Sequence, residues 1–334
     1  MTSTIVKEDV SRYSLSTHKK IEHPHDKFFK ETFSHVEVTK SFLLHYLPPD
    51  VTEILDIATL KPEKDSFINK ELEEGFSDLL FSADIDGRKG YIYFLFEHKS
   101  YPDKTVVFQL LKYMTKIWST KMKKEKMDQV PLVIPLLIYH GLTPWNREKT
   151  LGGMISGYGY FPPGIRKFVP EYAYLVYDIT NYKDEEIKGE ARVQILFMMF
   201  RDVQKAKNVQ ELLKTIDKAI MYLQELEDKQ TGVEYFETFM RYIFSAAKNL
   251  TREDTDEIVE KVETTYPEGS ELVMTLAESW REEGVKVGIK EGIKEGKISV
   301  VKNALKEGME LHLIEKLTGL SRKEIEKIAE EMEK

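Results

Sequence analysis

The chain has no cysteine in 334 residues. That excludes disulfides, zinc–thiolate sites, iron–sulfur clusters and cysteine nucleophiles. Long apolar runs are missing too. The longest, VPLVIPLLIY (130–139), contains two prolines and is about half of the ~20 residues that a membrane-spanning helix needs. The opening residues, MTSTIVKEDVSRYS, have no apolar stretch of the signal-peptide kind. These absences lead to the expectation of a cytoplasmic protein with no membrane partner. Nor is there a positive balance of charge: 49 Lys and Arg stand against 57 Asp and Glu, a net charge of −8. Proteins that coat nucleic acid are usually basic, because phosphate neutralisation dominates their affinity. Any nucleic-acid contact here must therefore be local.

What is present is ample apolar material: 41% of residues, including 17 Phe and 17 Tyr. That supports a real core and, at this length, two domains or one domain with an appendage. Residues 1–22 are polar and read as a flexible N-terminal segment. HDKFFKETFSHVEVTKSFLLHY (25–46) suits an amphipathic helix broken once and ended by Pro48-Pro49. Strands are expected at 51–60, 76–85, 91–99, 130–141 and 171–179, and a helix at 103–122. The Gly- and Pro-rich stretch 142–168 reads as a long, ordered surface excursion. From about 184 onward the periodicity is helical only, at 184–203, 207–227, 231–249 and 251–263. The expected architecture is α/β: a mixed central sheet flanked by helices (23–183), a helical region (184–283) and a helical tail (284–334).

The chemistry concentrates at YFLFEHKS (93–100), where a core-like strand runs into Glu97, His98 and Lys99. Side chains alternate along a strand, so Glu97 and Lys99 share a face at the margin of a core. DGRKG (86–90) is a hairpin signal between this strand and the one before it. A loop of residues 86–89 would pair positions summing to about 175, setting Asp78 opposite Glu97 to within a residue or two. Directly paired carboxylates, with Cβ atoms about 5 Å apart, repel unless a cation lies between them. A hard divalent ion, Mg²⁺ or else Mn²⁺ or Ca²⁺, takes oxygen ligands and leaves room for water and phosphate. Lys99 would face the same patch, where it could orient a water or stabilise charge on a phosphate.

Asp78 followed by Glu97-His98-Lys99 resembles the D…(D/E)XK signature of the PD-(D/E)XK nuclease superfamily. The surrounding words are more specific. His25-Asp26 with Phe29-Lys30, Phe76-Ser77-Asp78, Phe96 to Ser100 with Pro102-Asp103, and Gln109 to Met114 resemble the recombination-promoting nuclease family, the YhgA-like putative transposases. Residue 77 is serine where the superfamily's name has proline. The resemblance spans roughly 20–260 and implies a restriction-endonuclease-like core and a metal-dependent DNA endonuclease linked to recombination, mobile elements or defence. It implies that Asp78 and Glu97 bind metal, that the His98 carbonyl is a further ligand and that Lys99 is the catalytic lysine. It also implies that Gln109 and Tyr113 form a QxxxY helix motif near the site, with Asp26 and Lys30, or else Glu31, as first-helix contributors. Under that implication the lysine-rich run 112–126 gains a purpose: Lys112, Lys116, Lys121, Lys123 and Lys124 would grip DNA phosphates. Alone, such a run is an ordinary solvated helix face.

Three further features complete the reading. His18, His23 and His25 sit in a loose tract that does not suit a metal site. Gly284, Gly288, Gly292 and Gly296 recur every four residues beside Val285, Ile289 and Ile293. That seam suggests a homo-oligomeric or regulatory contact, with a plain connector as the other option. Ser321 and Glu324 fit a capping box, and the acidity of the helix after them argues against DNA recognition. A catalytically silent DNA-binding or oligomeric protein on the same fold is the alternative to an enzyme, and the same acids would also serve a nuclease acting on RNA.

Overall fold

The computed structural model describes residues 23–63, 77–97, 102–126, 128–226, 228–247 and 250–332, with the backbone alone at 77–78 and 95–97. The chain divides into two compact units, whose described residues are 23–276 and 277–332. No boundary falls at 183/184, where the sequence changes character; the helices between 191 and 265 belong to the same unit as the sheet.

The larger unit begins with α1 (Pro24–Phe33) and α2 (Val36–Tyr46), the expected helix with its one break, then a single turn, α3 (Pro49–Thr52). Five strands follow, β1 (Leu55–Pro62), β2 (Ser77–Ile85), β3 (Arg88–Glu97), β4 (Val133–Tyr139) and β5 (Leu175–Asp178), side by side in chain order. The β1–β2 and β2–β3 pairs are antiparallel, whereas β3–β4 and β4–β5 are parallel. A parallel pair needs a crossover, and α4 (Val106–Glu125) supplies it between β3 and β4. Two short turns of helix, α5 (Leu151–Met154) and α6 (Pro163–Arg166), lie in the excursion between β4 and β5. Then come α7 (Ala191–Asp202), α8 (Val209–Leu223), α9 (Lys229–Ala246) and α10 (Arg252–Thr265).

Both faces of the sheet are buried, which explains the near-continuous apolar character of β3 and β4. On one face Leu80, Tyr91, Tyr93, Val133 and Leu137 pack against Val107, Leu110, Tyr113 and Ile117 of α4. On the other, Phe94 meets Phe33 of α1, Phe42 of α2 and Phe81 of β2, with ring centroids 5.5 to 5.6 Å apart. Phe42 in turn lies 5.9 Å from Phe197 of α7.

The β2–β3 hairpin is tighter than its sequence suggested. Ile85 pairs with Arg88, so the loop is Asp86-Gly87 alone and Lys89 joins the ladder. Both loop residues have positive φ, 51° and 70°, as a type I′ turn requires and as Asp-Gly favours.

The smaller unit holds the end of α11 (Ser270–Lys306), α12 (Leu311–Thr318) and α13 (Arg322–Met332) around Val301, Ile314 and Ile325. Glu324 accepts from the Ser321 amide at 2.8 Å and from its hydroxyl at 2.6 Å, one half of the expected capping box, while the Glu324 amide bonds the Ser321 carbonyl. Among the described residues no helix is long and apolar enough to cross a membrane.

Among the described residues of the larger unit one lysine is buried. Lys121 is 3% exposed, with its ammonium 2.7 Å from Glu63, 3.5 Å from Glu125 and 4.9 Å from the Tyr91 ring centre. Burial pulls its pKa down, but the Glu63 carboxylate and Tyr91 outweigh that and hold it above the usual lysine range. Burial pushes Glu63 up, yet hydrogen bonds from Lys121 and Ser82 leave it below the usual carboxylate range. The pair's contribution is therefore present from neutral pH downward until the depressed Glu63 protonates, below its ordinary value of 4.5. Removing one partner strands the other, so Lys121→Ala should cost about 3 kcal/mol in urea unfolding at pH 7. The difference from wild type should shrink as pH falls below that point.

Candidate active site

Backbone positions 78 and 97 lie at the carboxyl-terminal end of β3, beside β4 and the amino end of β2. Asp78 pairs with Leu95 and Ser77 with Phe96, two positions away from the expected Asp78–Glu97 pairing. The cause is the two-residue turn, which removes two positions from the loop. A shift of two keeps the face parity, so positions 78 and 97 lie on one face as diagonal rather than direct neighbours, with backbones about 7–8 Å apart. That face is the one α4 covers, because positions 80, 91 and 93 share it and pack on α4. His98 and Lys99 lie outside the described residues.

Helix α4 runs back over β3. The Tyr113 ring lies 5.1 Å from Tyr93, whereas Lys121, two turns further on, lies over Tyr91. Gln109 is therefore one turn from Tyr113 toward the Glu97 end. Its amide is 3.4 Å from the Tyr113 hydroxyl, so the QxxxY pair is linked on one helix face. Asp103 starts the helix: its carboxylate accepts from the Thr105 amide at 2.7 Å and from the Thr105 hydroxyl at 2.8 Å.

Helix α1 reaches the same edge from the opposite face. Glu97 pairs in parallel with Tyr139, and the next residue, His140, has its ring 5.0 Å from that of His25. Asp26, half-buried, follows His25 and so stands at this edge. Lys30 is exposed one turn away. Glu31 is engaged elsewhere, 3.8 Å from Lys27 and 3.5 Å from Arg241 of α9.

The lysine run divides by helical phase. Lys112, Lys116 and Lys123 share the face directed away from the sheet, and Lys124 is exposed beside them. From Lys112 to Lys123 the stripe extends about 16 Å. Lys121 corrects the expectation of a phosphate contact: it points into the core and is held by Glu63.

Sequence reasoning missed the buried histidines. His25 and His140 are 9% and 2% exposed. The Tyr242 hydroxyl lies 3.0 Å from His25 Nδ1, and the His140 ring stacks on Phe200 at 4.2 Å. The signal that could have found His140 is its place directly after the apolar run VIPLLIY. His25 is a core residue, His23 is exposed at the start of α1, and His18 lies outside the described residues.

Positions 78 and 97 thus share one face at one end of a mixed sheet, beside the helix that carries Gln109 and Tyr113. Residues 23–234 match the family described as putative transposase, YhgA-like, and the chain belongs to it. Its relatives in Escherichia coli K12 include recombination-promoting nuclease RpnC, 28% identical over 91% of this chain and 96% of that protein. Recombination-promoting nuclease RpnA is 27% identical over 90% and 96%. The inactive recombination-promoting nuclease-like protein RpnE is 29% identical over 89% and 95%. No solved structure matches.

Tyr242→Phe should weaken the unit by about 1 kcal/mol, the net value of a buried hydrogen bond, as read by chemical denaturation.

Proposed function

We propose that this chain is a divalent-metal-dependent DNA endonuclease with its centre where the amino end of β2 meets the carboxyl end of β3. The observation that carries the reading is the hairpin register, which sets Asp78 and Glu97 on one face of the sheet at one edge. Two carboxylate oxygens from adjacent strands fit a hard ion such as Mg²⁺, Mn²⁺ or Ca²⁺. The bound ion would lower the pKa of a water and neutralise charge on the scissile phosphate. Asp78 and Glu97 would hold it, with the His98 carbonyl as a further ligand. Lys99 would orient the attacking water and stabilise charge on the phosphate. Gln109, held by Tyr113, would position the backbone or substrate, and Asp26 would act from α1. Lys112, Lys116, Lys123 and Lys124 would contact phosphates flanking the cut.

The test is nicking and linearisation of a supercoiled plasmid with Mg²⁺ or Mn²⁺. Asp78→Ala and Glu97→Gln should each lower the rate at least about a hundredfold. Equal cutting by the variants would refute the site, and no cutting by wild type would favour the second reading. That reading, a catalytically silent protein on the same fold, is supported by the relative named inactive. It predicts that neither DNA binding nor thermal stability responds to metal or to loss of Asp78.

We also propose self-association through α11. Val285, Ile289 and Ile293 are 57–62% exposed, and nothing lies within 4 Å of a Cβ built on Gly284, Gly288, Gly292 or Gly296. Rows four apart pack ridge into groove, and the apolar row is bordered by Lys286, Lys290 and Lys294 on one side and by the glycine row on the other, with Glu291 and Glu295 on nearly the opposite face. Ile289→Lys with Ile293→Lys should reduce the solution mass to that of a monomer by light scattering, with helix content unchanged by circular dichroism.

A further inference from the structure

The excursion between β4 and β5 is built onto the candidate edge. Arg147 Nε donates to the Pro102 carbonyl at 3.0 Å, five residues beyond Glu97, and the Tyr172 hydroxyl donates to the Val107 carbonyl in the first turn of α4. Tyr174 donates to the Glu148 carbonyl at 2.8 Å, and the Trp145 amide donates to Asp178 at 2.7 Å. From this base the chain projects two aromatic rings into solvent, Tyr160 at 94% exposure and Phe168 at 75%.

A lone exposed aromatic needs no explanation. These two differ in how they are held. Gly157 takes a positive φ of 74°, which opens the turn through Tyr158 to Tyr160. Arg166 then donates to the carbonyls on either side of Tyr160, to Gly159 at 2.6 Å and to Phe161 at 2.7 Å. The amide of Phe168 is tied to the Ile165 carbonyl at 3.1 Å. The backbone beneath each ring is thus fixed before anything binds. The surroundings are basic in an acidic protein: residues 142–170 carry Arg147, Lys149, Arg166 and Lys167 against one acid, Glu148. The Lys167 ammonium lies 5.3 Å from the Phe168 ring centre, on one of its faces.

Preorganised aromatic faces interleaved with cations suit unpaired nucleotides, each of which offers a π-face and a phosphate. They do not suit a duplex, whose bases are already stacked. We propose that Tyr160 and Phe168 form a stacking platform for an unpaired DNA strand beside the cutting centre, so that the preferred substrate has single-stranded or unpaired bases next to the scissile bond. This rests on the nuclease reading for its substrate, but not for its test.

The experiment is fluorescence titration of the full-length protein, in EDTA and at fixed salt, with a short single strand carrying 2-aminopurine and with the same sequence as a duplex. Binding should quench the 2-aminopurine through stacking. Tyr160→Ala with Phe168→Ala should weaken single-strand binding by about tenfold or more, while duplex affinity changes by less than about twofold. Tyr160→Trp should retain the wild-type behaviour. Both rings are exposed, and unchanged thermal melting of the variants confirms that they fold. Equal losses on both substrates, no quenching, or binding to anionic vesicles in place of the single strand would overturn the proposal. The nuclease reading fails separately, in the plasmid assay with Asp78→Ala. Stacking without metal-dependent cutting would leave a single-strand binding protein.

Discussion

The register of β2 against β3 is the constraint on which the rest depends. A strand alternates its faces every residue, so a slip of one would carry position 78 to the side of the sheet that α1 and α2 cover, away from position 97. Two things hold the register. The Asp86-Gly87 loop has room for no other pairing of Ile85 with Arg88. The large side chains then divide without ambiguity, Tyr91 and Tyr93 toward α4, and Ile92 and Phe94 toward the opposite layer. Each of these four is buried at 1% exposure or less, so a slipped hairpin would expose or collide all of them at once. The hydrophobic run before Glu97 is what makes the position of the acid unique.

Parallel pairing of β3 and β4 then decides what else meets at that edge. Parallel strands leave the sheet on the same side, so the exits after Glu97 and Tyr139 are adjacent. Open sheets of this kind present their sites at the carboxyl ends of strands. Helix α4 starts beside this edge on one face, and α1 begins beside it on the other. The helical stretch after 184 holds α1 in place: Tyr235 and Tyr242 of α9 bond to Thr32 and His25 at 2.8 and 3.0 Å. It is a brace for the edge and folds within the same unit. A boundary at 184 was inferred because the periodicity changes there, but periodicity reports the kind of element and says nothing of what it packs against.

Much of the fold was legible because β3, β4 and α4 have both of their signals, apolar period and bounding turns, in one short window. The hairpin was visible, yet its register was read two positions off. DGRKG was taken as a four-residue loop, whereas Asp-Gly alone closes a type I′ turn and Arg88-Lys89 extend the strand. The error preserved parity, so the shared face of 78 and 97 survived it. Lys121 was read as a surface cation because charge runs are judged by composition. Helical phase separates it from Lys112 by half a turn, in step with Tyr113 and Ile117, and only its distant partner Glu63 makes that burial tolerable. His25 and His140 were opaque for a related reason. Their contacts come from Phe200 and Tyr242, far along the chain, and no local pattern announces a pairing of that span.

An acidic chain that handles DNA must place its cations where they act. Charges further apart than a Debye length, about 8 Å at physiological salt, scarcely feel one another when exposed, so the net charge of −8 says little about any one surface. What matters under the proposed function is the short range around the sheet edge. There the outward lysines of α4 and the basic excursion both belong to segments anchored at the edge, one starting just after Pro102 and the other bonded to it. The long acidic and mixed-charge stretches lie instead in α10, α11 and α13. If the proposed function holds, such a division would let the chain repel nucleic acid elsewhere while attracting it at one edge, so that electrostatics would select the orientation of approach as well as the partner.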